Sequence, residues 1–411
     1  MGTRQILDDV LRELTLSRDE FFRFEKIAKD FIKLLDGIGI GSFIGGSFAK
    51  ETVVKTEGKQ DIDIFVVFDS AKELDKFESI LNGLDLSGPL KKVHGSRDYF
   101  NVDCGDVILE VVPVMKNLNP EDAENVTDVS LSHVGYIRTE IKKNPRLSNE
   151  IKLAKRFCAA NRVYGAESYI RGFSGYSIEV LVCHFGGFVK FLKGMKKAHV
   201  VDPSKFFRTK NEVMRELNSA KLNSPIILVD PTFKHRNATA GLSKETFDKF
   251  LEVAQAFLKE PSKEFFEKKE LDIGAFKIFS KEKGFLFFEM KLETEKQEGD
   301  IAGTKMKKFF DFFVSELLRK GQEIVKKEFD YSGKGLAANG YLVVDEKNGV
   351  EVRGPSLKMK EATVKFKKAK KGHGIFEKDG FFWFVDKLSV KGIFESVKKF
   401  EKEMDVVVKI V

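Results

Sequence analysis

Two apolar runs, each interrupted by acidic side chains, set the pattern of the first third of the chain. Residues 61–68 (DIDIFVVF) read as a buried strand, with Asp61 and Asp63 two positions apart. That spacing puts both carboxylates on one face, about 6–7 Å apart by strand rise. Residues 107–114 (VILEVVPV) are apolar except for Glu110 and the strand-breaking Pro113. A strand buried on both faces should carry no lone charge, so Glu110 needs a partner, and pairing of this strand beside the first would bring it to the two aspartates. The surrounding pattern predicts a strand over 39–45, a helix over 47–54, a strand over 61–68 and a helix over 71–83. Strands near 98–103 and 107–115 follow, giving a mixed sheet with helices on one side. Upstream, apolar stripes through Ile6, Val10, Leu11 and Leu14, then Phe22, Ile27, Phe31 and Leu35, predict one or two amphipathic helices over 4–36. The polar stretch Asn117 to Asp128 reads as a loop.

From about 130 to 260 the period becomes helical. Helices are expected at 148–161, capped by Ser148 with an acidic third residue, at 174–188, and at 243–257 capped by Ser243. Glu260-Pro261-Ser262 is the expected boundary. Beyond it, 276–280 and 285–291 flank Glu282-Lys283-Gly284 as a hairpin signal, 305–327 reads as a long helix, and 340–345 as a strand. Asn348-Gly349 and Asp379-Gly380 are hairpin turns by type, and 391–404 is a helical tail. This alternation suggests a ferredoxin-like or RNA-recognition-like body. The segment 358–371 (KMKEATVKFKKAKK) carries seven lysines, with Val364 and Phe366 expected on its apolar side. Alone it reads as a solvated face; beside an RNA-handling domain it reads as a phosphate-contacting one.

At 411 residues the chain exceeds one ordinary core, so two to four domains are expected. A net charge of +8 favours a polyanionic partner, although 63 acidic residues require the positive charge to be clustered. Cys104, Cys158 and Cys183 lie too far apart for a C-x-x-C pair, which argues against a disulfide frame and a zinc site. No run approaches the roughly 20 apolar residues of a membrane helix. The 40 phenylalanines against one tryptophan read as core filling.

The chemistry concentrates on the acidic pair. Two carboxylates side by side at an apolar strand end repel one another, and burial makes both costly. A divalent cation offsets that cost, and Mg²⁺ takes such oxygen ligands. Glu110 would complete a three-carboxylate cluster able to hold two ions. Gly45-Gly46-Ser47 forms a strand-to-helix turn whose free backbone N–H groups suit a phosphate. Taken singly, each has a plain explanation: a surface D-x-D, an ordinary turn, or a glutamate paired with an arginine. Together and in this order they point to a metal-dependent phosphate chemistry.

Gly46-Ser47-Phe48-Ala49-Lys50-Glu51-Thr52, Asp61-Ile62-Asp63 and Glu110 resemble the palm of the DNA polymerase β-like nucleotidyltransferases. Val163-Tyr164-Gly165-Ala166-Glu167, Arg171-Gly172-Phe173-Ser174-Gly175-Tyr176, Val229-Asp230-Pro231 and Arg236-Asn237 narrow this to archaeal-type (class I) CCA-adding enzymes, from about residue 30 to 260. The resemblance implies an α+β, multidomain fold: a nucleotidyltransferase palm with N-terminal helices over 1–143, a helical central domain walling the nucleotide pocket over 144–260, and a tRNA-binding body and tail over 261–411. It implies a cytoplasmic enzyme that adds CCA to the tRNA 3′ end from CTP and ATP, releasing pyrophosphate. Asp61, Asp63 and Glu110 would be catalytic ligands of two Mg²⁺ ions. Gly46, Ser47, Lys50, His133, Lys155, Tyr164 and Ser174 would contact the nucleotide, and Arg236 would read a base edge or phosphate. The implied partners are the acceptor stem and elbow of tRNA, with no membrane; no protein partner is inferable and a homodimer is left open. The alternatives are a terminal adenylyl- or uridylyltransferase on another RNA, or a catalytically silent tRNA-binding protein. Two departures stand out: Glu110 replaces the usual Asp, and Lys50 the frequent Arg, which loses the bidentate fork. The loop 55–60 is also slightly long.

Overall fold

The computed structural model describes residues 2–94, 97–116, 129–295, 298–347, 349–372, 374–386 and 389–411. The loop expected over 117–128 lies outside them. The chain forms two compact units, Met1–Lys269 and Glu270–Val411.

The first unit opens with two helices, α1 (Thr3–Leu14) and α2 (Arg18–Asp36). They are separate because Ser17 starts the second with a capping box: its hydroxyl accepts from the Glu20 N–H at 3.2 Å, and its own N–H donates to the Glu20 carboxylate at 2.8 Å. A five-stranded mixed sheet follows, built from β1 (Ser42–Ile44), β2 (Gln60–Phe68), β3 (Leu90–Val93), β4 (Tyr99–Asp103) and β5 (Val107–Met115) in the order β1-β2-β5-β4-β3. Strands β2 and β5 run parallel; their neighbours are antiparallel. Pro113 does not break β5, because the ladder with β4 ends at Val111 and no neighbour needs its missing N–H. Ile62, Ile64, Val66, Leu109 and Val111 are fully buried, in one core with Phe24, Phe31 and Leu35 of α2.

Two helices are shorter than the pattern suggests. The one expected over 47–54 is a single turn, α3 (Gly46–Ala49), because Glu51 takes a left-handed φ of 58°. The one expected over 71–83 splits into α4 (Ala71–Leu74) and α5 (Phe77–Asn82).

The rest of this unit is mainly helical: α6 (Ser130–Lys143), α7 (Arg146–Ala160), α8 (Gly175–Phe185), α9 (Phe188–Met195), α10 (Lys210–Glu216) and α11 (Lys244–Lys259). A small sheet, β6 (Val200–Val201), β7 (Ile227–Asp230) and β8 (Phe233–Asn237), sits among them. Helix α7 starts behind Pro145, not at Ser148. Ser148 instead donates its hydroxyl to the Glu51 carbonyl at 2.6 Å, tying α7 to the loop after α3. The acidic residue of that expected cap, Glu150, accepts from the Phe188 N–H at 2.7 Å and so caps α9. The cap expected at Ser243 forms as read, and Ser174 caps α8. Phenylalanine does fill this core: Phe157, Phe173, Phe188, Phe191, Phe250 and Phe257 are fully buried. Most of their ring pairs are edge-on or tilted, as the ring quadrupole favours. After Glu260-Pro261-Ser262 the chain folds back on α7, where Arg156 holds the Phe266 carbonyl at 2.6 Å.

The second unit begins with α12 (Ile273–Lys283), then β9 (Leu286–Glu293), α13 (Asp300–Arg319), β10 (Glu323–Asp330) and β11 (Ala337–Asp345). Next come β12 (Val350–Ser356), α14 (Lys360–Ala369), β13 (Ile375–Lys378), β14 (Phe381–Asp386), α15 (Val390–Lys398) and β15 (Val407–Ile410). Strands β9, β10, β11 and β15 form an antiparallel sheet in the order β10-β11-β9-β15. With α13 and α15 this is a β-α-β-β-α-β, ferredoxin-like body. The segment from β12 to β14 is inserted in it as a separate three-stranded sheet with α14. Gly340 lets α13 approach closely, since a Cβ there would meet the Phe310 ring at 2.6 Å.

Four local expectations need correction in this unit. The hairpin at 276–291 is α12 followed by β9: Asp272 caps the helix at the Ala275 N–H, and Gly284 ends it at φ 70°. The helix over 305–327 stops at Arg319, before Gly321 at φ 74°. Asn348 of the expected Asn348-Gly349 turn lies outside the described residues; among the described residues β11 and β12 belong to different sheets. The tail over 391–404 is α15 followed by a short turn and then β15. Asp379-Gly380 does turn β13 into β14, with φ of 53° and 78°. On α14, Phe366 stacks edge-on against Phe384, but Val364 is 67% exposed. Residues two apart lie on opposite sides of a helix.

Candidate active site

The parallel register sets Asp63 opposite Glu110 and Asp61 opposite Ile108, so the three carboxylates share one face of the sheet. The other face carries Ile62, Ile64 and Leu109 into the core, which fixes this orientation. Burial, reinforced by Asp63 and Asp61, pushes the Glu110 carboxyl up to about 8. Burial also raises Asp63; Lys50 opposes the rise and Asp61 adds to it. Tyr99 on β4 belongs to this face, its phenol pushed up to about 12 by burial and then by Glu110, Asp61 and Asp63. Asn101 lies opposite Glu110, and its buried Oδ1 has no hydrogen-bond partner among the described residues.

The glycine turn closes one end of this surface. Gly46 has φ 55°, and a Cβ there would sit 1.6 Å from Asp63 Oδ2. Gly45 is as tight against the Phe65 ring, at 2.0 Å, and its N–H donates to the Asp63 carbonyl at 2.8 Å. Only glycine lets this backbone approach the carboxylate.

The donor set suits a hard cation: all-oxygen, mutually repelling, and with two carboxyls raised by burial and by one another's charge. The side chains are poised but not drawn together. Among the described residues no three His, Cys, Asp or Glu side chains are gathered closely enough to hold an ion.

Beside this face lies a buried ion cluster. Glu179 of α8, fully buried, accepts from Lys50 Nζ at 2.6 Å on Oε2, and from Lys155 Nζ and Thr52 Oγ1, each at 2.7 Å, on Oε1. Lys155 also reaches Thr52 Oγ1 at 3.0 Å. Against a burial penalty that would raise it, the two lysines hold the Glu179 carboxyl down to about 2. Tyr164 is a neighbour: a Cβ on Gly175 would lie 2.8 Å from its hydroxyl and 3.9 Å from Lys155 Cε. Burial, then Glu179, raises the Tyr164 phenol.

A second hub forms around Asp230 at the end of β7. Its Oδ1 accepts from Tyr176 Oη at 2.9 Å and from the Thr232 N–H and hydroxyl, both at 2.8 Å. Its Oδ2 meets Arg236 at 2.5 Å and His133 Nε2 at 3.1 Å. His133 stacks on Tyr176 with ring centroids 3.7 Å apart. Burial lowers the His133 pKa although Asp230 opposes it, which keeps the ring neutral at neutral pH. The carboxylate of Asp230 is held well below its usual range despite burial, by His133 and Arg236. Asn237 fixes the strand that carries Arg236, its Oδ1 accepting from the Leu228 and Thr239 N–H groups at 3.0 Å each.

The expected residues therefore fall into three adjoining groups in the first unit. Gly46 abuts the carboxylates, Lys50 and Lys155 act on Asp63 through charge, and Lys50 also acts on His133. Ser47 is the second residue of α3, and its carbonyl accepts from the Thr52 N–H at 3.0 Å. The Ser174 hydroxyl is engaged as the cap of α8, accepting from the Ser177 N–H at 3.1 Å. Glu179, Tyr176, Thr52, Thr232 and Tyr99 were missed by sequence reasoning. Glu179 carried a usable signal, a lone acid in the apolar run 178–182 (IEVLV), the same signal that singled out Glu110.

Comparison with known proteins bears on this arrangement. The family profile described as "tRNA nucleotidyltransferase, second domain" matches residues 149–267. A CCA-adding enzyme of Nanoarchaeum equitans is 32% identical over 294 residues, covering 70% of either chain. The chain belongs to the CCA-adding enzyme family. It is accordingly a nucleotidyltransferase of tRNA processing. The family member of Thermococcus kodakarensis aligns over 407 residues at 25% identity, covering 94% of this chain and 86% of that one. The solved structure of a cytoplasmic RNA terminal U-transferase is similar in fold, with a TM-score of 0.51 at 13% identity over 66% of this chain and 99% of that chain. A poly(U) polymerase structure gives 0.50 at 13% identity, over 64% and 98%. This chain and these two enzymes thus share an α+β architecture. Among the described residues no helix is long and apolar enough to cross a membrane.

Proposed function

We propose that this chain extends the 3′ end of tRNA by C, C and A, taking CMP and AMP from CTP and ATP and releasing pyrophosphate. The observation that carries the reading is the register of Asp63 against Glu110 with Asp61 on the same face, next to two buried lysines. Asp61, Asp63 and Glu110 would hold Mg²⁺, as two ions, whose Lewis acidity activates a 3′-hydroxyl and neutralises leaving oxygens. The chain's own groups do the rest. The backbone N–H groups at Gly46 and Ser47 face phosphate oxygens; with α3 only one turn long, they act as local donors more than through a helix dipole. Lys50 and Lys155 neutralise the triphosphate, with the Tyr164 and Ser174 hydroxyls beside them. Neutral His133 contacts the nucleotide, and Arg236, clamped by Asp230, presents its remaining donors to a base edge or phosphate.

The domain division follows the same reading, with a palm over 1–143, a pocket wall over 144–260 and a tRNA-binding body and tail over 261–411. The lysines of α14 then face phosphates of the acceptor stem and elbow. Three free cysteines among the described residues suit the cytoplasm.

The test is to supply each nucleotide separately to tRNAs ending before CCA, after C and after CC. CTP alone should extend the first two, and ATP alone only the third. Runs of A or U on any of them would instead mark a terminal transferase, and no extension at all a silent RNA binder.

A further inference from the structure

We propose that Glu179 is a positioning residue for nucleotide phosphates: its buried carboxylate holds the Lys50 and Lys155 ammonium groups at fixed places where the triphosphate meets them. The proposal rests on the reading of both lysines as phosphate ligands.

The geometry is specific. Lys50 follows α3 of the sheet portion, Lys155 stands on α7, and Glu179 on α8 receives one on each carboxylate oxygen, at 2.6 and 2.7 Å. All three are buried, with side-chain exposures of 9%, 7% and 0%. A buried carboxylate requires such partners, but two ammonium groups against one carboxylate leave an excess of one positive charge within the cluster, felt by Asp63 on the carboxylate face. An anion is the natural complement of that excess. Lysine is a mobile point charge on a four-carbon stem, and preplacing it removes the conformational freedom a ligand would otherwise have to freeze. Thr52 locks the arrangement, donating to Glu179 Oε1 while accepting from Lys155 at 3.0 Å. Among the described residues Lys155 directs its bonds to Glu179 and Thr52, whereas Lys50 makes one, to Glu179, and keeps donors for an incoming oxygen.

The same chain segments would be joined by a purely structural ion cluster, so the experiment must separate the two. Steady-state kinetics are run on the full chain, with ATP and a tRNA ending in CC, alongside thermal melting. Glu179→Gln keeps the shape but loses the charge, and should raise the KM for ATP about tenfold or more while the KM for tRNA stays within about twofold. Glu179→Asp should recover part of the loss. Thr52→Val, a milder change, should shift the same constant in the same direction, and decides the matter if Glu179→Gln does not fold. A wild-type KM for ATP in these variants, with only the melting temperature lowered, would overturn the proposal. Lys50→Met and Lys155→Met serve as references. If they too leave the KM for ATP unchanged, the phosphate-ligand reading itself fails; if they raise it and the Glu179 and Thr52 variants do not, only the positioning role falls.

Discussion

Asp63→Ala is expected to remove nucleotide incorporation, by roughly a thousandfold or more, while leaving tRNA affinity nearly intact. Asp63 is the member of the carboxylate set that sits opposite Glu110, beside Asp61, and against the backbone of Gly46. On the proposed reading, its removal would take away an oxygen ligand for the cation that neither neighbour can replace. The same change relieves repulsion in the cation-free protein, because burial and Asp61 both disfavour the charged form of Asp63. Melting without Mg²⁺ should therefore hold or rise while turnover disappears, which distinguishes lost chemistry from lost folding. Incorporation assays and a tRNA binding titration check both halves. Turnover above a few per cent of wild type would refute the assignment.

Asp230→Ala should cost about 3–5 kcal/mol of stability, read by denaturant unfolding, because it strands several buried donors at once. Tyr176, Thr232, His133 and Arg236 all converge on that one carboxylate. The folded-state pKa of Asp230 lies below its unfolded value, so its contribution is complete above the ordinary Asp range and is lost as pH falls through the acid range. At neutral pH the full penalty applies. Asp230→Asn keeps an acceptor and should cost less. In either variant Arg236 loses its clamp, so the ratio of CTP to ATP use should change more than tRNA affinity does. Equal loss for both nucleotides would argue against a selecting role for Arg236.

The carboxylates were legible because local pattern dictates them. Alternation in β2 and β5 fixes which face is apolar, and the acids are left on the other. Gly46 was legible for a similar reason, since a glycine pair between a strand and a helix marks a backbone that must approach something closely. What escaped were groups whose meaning lies in distant partners. Glu179 meets Lys50 across 129 positions of sequence, and Asp230 meets His133 across 97. Neither separation leaves a periodic trace. In the second unit the misreadings share another cause. Phenylalanine-rich segments such as 276–280 suit a strand by propensity, yet Asp272 and Gly284 cap them as a helix. The ferredoxin-like body itself was legible from the alternation of strands and helices; the insertion from β12 to β14, which separates β11 from the α15–β15 pair that completes its sheet, was not.

The most direct test locates the cation itself. Crystals grown with Mn²⁺ and a non-hydrolysable CTP analogue can be measured for anomalous scattering. Manganese is expected between Asp61 and Asp63, with Glu110 on one of the ions. Manganese bound elsewhere, or Glu110 satisfied by a protein partner with no ion beside it, would contradict that placement.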